Sequence, residues 1–115
     1  MSNAARWKQL ISWLHRTFPA NYPVMVRSID KVIVEGKWRD ADGPYQASCD
    51  FDNGQFRIEI RKGMCWSLLK DAAVHEWAHA LTWQGAEADE EHSSEWGIAY
   101  AKIYREYEVY REGHR

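Results

Sequence analysis

"AAVHEWAHALTW", residues 72–83, sets two histidines four positions apart in a run made mostly of Ala, Leu, Val and Trp. Over residues 68–83, ten of sixteen side chains are apolar, and they take up nearly the whole circumference of a helix. A helix with that pattern is buried or lines a cleft. Ser67 is placed to cap its start, and Gly85 with the acidic run "AEADEE" ends it. At about 100° per residue, His75 and His79 fall about 40° apart on one stripe. Burying two imidazoles costs about 1–3 kcal/mol for each polar group left without a partner. Both rings therefore need partners: either each is satisfied separately as a core histidine, or the two share one.

Outward from that helix the periodicity changes twice. Trp7, Leu10, Ile11, Leu14 and Phe18 follow helical spacing, with Arg6, Lys8, Gln9 and Arg16 on the other side and Pro19 as the stop. After "PANYP", the segments "VMVRSI" and "KVIVEGKW" are rich in β-branched residues and read as two strands. "YQASCDF" and "QFRIEIR" flank "DNG", in which Asn53-Gly54 predicts a type I′ hairpin. Phe56, Ile58 and Ile60 alternate with Arg57, Glu59 and Arg61, which predicts one buried and one wet face. A last helix starts near Ser93 or Ser94 and runs to about Glu112, with Trp96, Ala99, Tyr100, Ile103, Tyr104 and Tyr107 as its apolar stripe. The order helix, strands, helix, helix predicts one α+β domain over residues 1–115, with a three- to four-stranded, mostly antiparallel sheet.

Composition narrows the function classes. Residues 1–66 carry ten Lys/Arg against seven Asp/Glu, and residues 67–115 carry five against ten, so the chain as a whole has no basic footprint for nucleic acid. Arg57, Arg61 and Lys62 leave a weak basic face on the N-terminal half. The first 29 residues hold four Lys/Arg and no acid, like a transit peptide, but their apolar stripe favours a docked helix. "LISWL" falls short of the roughly seven apolar residues of a signal peptide, and no stretch approaches the roughly 18 of a membrane span. Cys49 and Cys65, with no CxxC, are expected to be reduced thiols of a cytoplasmic protein. Seven Trp and six Tyr favour aromatic packing over a base-stacking surface.

Glu76 completes the pattern H-E-x-x-H as His75-Glu76-Trp77-Ala78-His79. Residues i and i+4 stand about one turn apart, so both imidazoles can converge on one Zn²⁺ at about 2.0–2.1 Å. The intervening carboxylate, rotated by about 100°, reaches the water on the metal rather than the metal itself. By chance the pattern arises on the order of a few times per thousand chains of this length, so it is a specific signal.

Catalytic zinc takes three protein ligands and an open position. The extended metzincin motif would need Gly at 82 and His at 85, where this chain has Thr82 and Gly85. Two downstream candidates remain: His92 at the entrance of the last helix, and Glu95 as a carboxylate ligand. His15 sits among basic residues of the first helix, and His114 lies at the end of the chain.

"HEWAHALTW", the short acidic loop and "EHSSEWGIAYAKIY" together resemble the SprT-like (Spartan-type) metallopeptidase domain, which pairs a HExxH helix with a downstream His in an H-G-P-x-[FW] setting. Ser93-Ser94 replace that Gly-Pro, and Glu95-Trp96 are kept. The likeness extends over residues 1–112 in architecture and 72–104 in recognisable residues. It implies a zincin-like fold, zinc on His75, His79 and His92, and Glu76 as general base. It also suggests the short stand-alone form common in phages and prophages.

The function expected is that of a zinc-dependent peptidase acting on a protein or peptide. Its substrate would lie along a sheet edge, beside "QFRIEIR". Tyr100 or Tyr104 is the candidate oxyanion donor, though aromatic packing is the commoner role for each. Trp77 and Trp83 are expected to brace the helix, and Glu87, Asp89, Glu90 and Glu91 to be solvated loop charges or partners of a histidine N–H. Two alternatives stand beside this reading. One is a zinc-stabilised binding module without general proteolytic activity; the other is a nucleic-acid-associated protein using Arg57, Arg61 and Lys62.

Overall fold

The first fifteen-residue helix, α1 (Asn3–Thr17), opens on Ser2, whose hydroxyl accepts from the Ala5 amide. The structure is a computed structural model that describes residues 2–29, 32–34, 37–39, 47–83 and 93–113. Leu10 and Leu14 of the expected stripe are fully buried, and Trp13 is buried with them. The Trp13 ring meets Phe18, Tyr107 and Tyr110 at centroid distances of 5.6, 5.1 and 5.6 Å. The chain leaves the helix at Phe18, whose amide still donates to the Leu14 carbonyl, just before Pro19.

Five strands follow among the described residues: β1 (Val24–Ile29), β2 (Val32–Val34), β3 (Lys37–Arg39), β4 (Ala47–Asp52) and β5 (Gln55–Arg61). Most of "KVIVEGKW", expected as one strand, forms parts of two, because β2 and β3 pair antiparallel in the register Val32↔Arg39, Ile33↔Trp38 and Val34↔Lys37. The hairpin at Asn53-Gly54 is as expected: both residues have positive φ, 52° and 77°, as a type I′ turn requires. Asp52 pairs with Gln55 across it.

The main sheet has the order β1-β5-β4, and it is mixed rather than mostly antiparallel. β4 pairs antiparallel with β5, whereas β1 pairs parallel with it, from Val24↔Phe56 to Ile29↔Arg61. The long excursion between β1 and β4 allows this, since a parallel pair needs an extended crossover while a hairpin needs two residues. β5 is therefore the centre of the sheet, bonded on both sides, and not the edge expected of "QFRIEIR". The edges of the described sheet are β1 and β4.

One face of β5 presents Phe56, Ile58 and Ile60, all at most 1% exposed. The other face is not the wet one that alternation predicts. Glu59 is buried there and takes two hydrogen bonds from Arg27, from Nη2 at 2.6 Å and from Nε at 2.9 Å. A buried carboxylate needs such a partner to offset its desolvation.

Helix α2 (Trp66–Thr82) begins after Cys65, which is extended and makes no side-chain cap. The predicted cap, Ser67, lies inside the first turn instead; Gly63, at φ 86°, turns the chain into the helix. Ala73, Val74, Trp77, Ala78 and Ala80 are buried, and the alanines let α2 lie close to its neighbours. It packs on β4, β5, α1 and the last helix, α3 (Ser94–Gly113). Trp77 is 1% exposed; its Nε1 donates to the Phe18 carbonyl at 2.8 Å, and its ring meets His15 at 4.9 Å. It braces the helix, as expected. α3 starts where predicted, with the Ser93 hydroxyl accepting from the Trp96 amide at 3.2 Å.

The architecture is thus α+β, with three helices among the described residues and a mixed sheet. No described helix is long and apolar enough to cross a membrane. Cys49 and Cys65 are both free thiols.

Candidate metal centre

Asp71, His75, His79 and Trp83 recur every fourth residue and form one stripe of α2 that continues into its C-cap. On α3, Trp96, Tyr100 and Tyr104 recur in the same way. The stripes meet in reverse order: Asp71 with Tyr100 and Tyr104, His75 with Tyr100 and Trp96, His79 with Trp96. The two helices therefore run antiparallel along a seam of polar and aromatic groups.

Within the seam the His75 and His79 ring centroids lie 5.1 Å apart. Trp96 covers both: it stacks on His79 at 5.4 Å with planes 29° apart, and stands edge-on to His75 at 4.9 Å. Its Nε1 also donates to the His75 carbonyl at 3.2 Å. The His75 side chain keeps about a third of its surface exposed, so the pair is accessible from one side.

Glu76 is buried, 7% exposed. Its Oε1 stands 3.9 Å from His75 Nε2, beyond direct hydrogen-bond range. Across from it on β4, burial pushes the Cys49 thiol well up from its ordinary value, with the Glu76 charge adding to the effect. That keeps Cys49 a protonated packing group beside the carboxylate.

Tyr100 and Tyr104, the candidate oxyanion donors, are both engaged within the seam. Both hydroxyls donate to Asp71 Oδ1, that of Tyr104 at 3.1 Å. Burial, and then the hydrogen bond and charge of Asp71, push the Tyr100 hydroxyl up to about 12; Tyr104 is pushed up as well. The two hydroxyls and the Asp71 carboxylate form one hydrogen-bonded cluster. Sequence reasoning missed Asp71, which stands one turn before His75 but whose hydroxyl partners lie on α3.

Of the predicted site residues, the structure brings His75, Glu76 and His79 together on α2. His92 lies outside the described residues, as do Glu87, Asp89, Glu90 and Glu91. Glu95 is in the first turn of α3 and exposed. Among the described residues, no three His, Cys, Asp or Glu side chains gather as a metal-holding group, so the candidate centre there is the histidine pair.

Two other expectations change. Trp83 does not simply brace α2 but joins Tyr22, Phe51 and Phe56 in a partly exposed cluster, 4.2 Å from Phe51. Arg57 does not stand in a basic field, since it lies opposite Asp50, and Glu59 of the same face is paired with Arg27. Burial raises the Asp50 carboxyl more than Arg57 lowers it. No family model, no curated protein and no solved structure matches the chain.

Proposed function

We propose that the chain is a zinc-dependent metallopeptidase of zincin-like, SprT-like type that hydrolyses peptide bonds of a protein substrate. The observation that carries the reading is the meeting of His75 and His79 on one accessible stripe of α2, with the buried Glu76 carboxylate beside His75 Nε2. The donor set suits zinc: two imidazoles one turn apart on one stripe of α2. His75, His79 and His92 would hold the ion. When bound, zinc supplies a Lewis acid that polarises a carbonyl and acidifies a water.

The chain's own residues do the rest. Glu76 Oε1 accepts a proton from the attacking water and returns it to the leaving amine. Burial of Glu76 limits competition from bulk solvent at its carboxylate. Trp96 closes the α3 side of the pair. The substrate strand belongs at β4 rather than β5, because β4 is an edge of the described sheet and α2 packs on it. Two free thiols fit a cytoplasmic setting.

Replacing Glu76→Gln keeps the shape of the side chain and removes the base. Hydrolysis of unfolded protein substrates should fall at least about 100-fold, with zinc content unchanged. Equal hydrolysis by both forms would remove Glu76 from the mechanism. A chain that holds zinc and binds a peptide but never cleaves it would be the binding module instead.

A further inference from the structure

We infer that Asp71 is a positioning residue for the two histidines: it anchors Tyr100 and Tyr104, Tyr100 backs Trp96, and Trp96 holds both imidazoles in one orientation. The inference rests on the zinc reading of the pair. Its basis is an unbroken chain of contacts along the seam. Asp71 Oδ1 accepts from both tyrosine hydroxyls. The Tyr100 ring stacks on Trp96 at 5.1 Å with planes 28° apart, and Tyr104 lies 5.1 Å behind Tyr100. Trp96 in turn stacks on His79 and stands edge-on to His75.

A tyrosine tied at its hydroxyl is fixed at its far end, where an untied ring would be held by packing alone. With Tyr100 fixed, the Trp96 plane has one position, and that plane limits how the His75 and His79 rings turn. Ligands already oriented do not lose side-chain freedom when the ion arrives. Asp71 is not itself placed as a ligand of the same ion. It lies two turns from His79 on the helix, and its Oδ1 already serves two hydroxyls. A device that only fastened α2 to α3 would change the stability of the fold and leave the zinc affinity of the folded chain as it was.

The test is zinc affinity of the full chain, by competition with a chromophoric chelator, beside thermal unfolding in excess chelator. Asp71→Ala should bind zinc about tenfold more weakly. Asp71→Asn keeps an oxygen acceptor and should recover most of that loss. Tyr107→Phe serves as the control, because it removes a hydroxyl from α3 at a ring that packs on Trp13 rather than in the seam; its affinity should match wild type. If Asp71→Ala does not fold, Tyr100→Phe carries the test, and a severalfold weakening is expected. Wild-type affinity in every folded variant would overturn the positioning role while leaving the zinc reading intact. A wild type that binds no zinc would overturn both.

Discussion

One face of α2 is turned to the sheet and α1, the other to α3, and the two are built from different chemistry. The first carries Ala73, Val74, Trp77 and Ala80, with Trp77 tied to the end of α1 by a single indole hydrogen bond. The second carries Asp71, His75 and His79 against Trp96, Tyr100 and Tyr104. The first face gains by removing apolar area from water. The second holds groups that are costly to bury unless each is partnered. The contrast separates what keeps α2 in place from what α2 presents.

The largest expected effect lies on the core face. Trp77→Ala should destabilise the fold by about 3–5 kcal/mol, read from denaturant midpoints in the absence of metal. A loss under about 1 kcal/mol would mean that this face does not anchor the helix. A smaller effect sharpens the seam. Tyr100 is pushed up to about 12, so the folded chain holds a proton that the unfolded chain releases near its ordinary value of about 10. The stability contribution is intact below about pH 10 and is lost as pH rises toward about 12. Between those limits the denaturant midpoint of wild type should fall more steeply than that of Tyr100→Phe. Parallel slopes would detach the hydroxyl from the seam.

Local features were legible in the sequence because local physics determines them. The α1 stripe, the Asn53-Gly54 turn and the Ser93 cap each depend on residues a few positions apart. The same holds for the His75–His79 spacing. Strand neighbours depend on pairing across the chain, and alternation in "QFRIEIR" is equally compatible with an edge or a centre. Glu59 illustrates the limit: alternation marks it as wet, and only the parallel pairing of β1 brings Arg27 opposite it. Asp71 escaped notice for a related reason. Its partners are about thirty residues away on α3, and nothing near it in sequence marks a carboxylate that receives two hydroxyls. The start of α2 shifted because Gly63 and an extended Cys65 turn the chain before Ser67 can cap it.

The central claim is that the seam face of α2 exists to hold a metal, and metal content tests it most directly. Elemental analysis of purified wild type and of His79→Ala, each confirmed folded by circular dichroism, is the measurement. The account predicts near one zinc per chain in wild type and loss of it in His79→Ala. A folded wild type that stays metal-free after exposure to zinc would contradict it, and would return His75 and His79 to the packing of the α2–α3 seam.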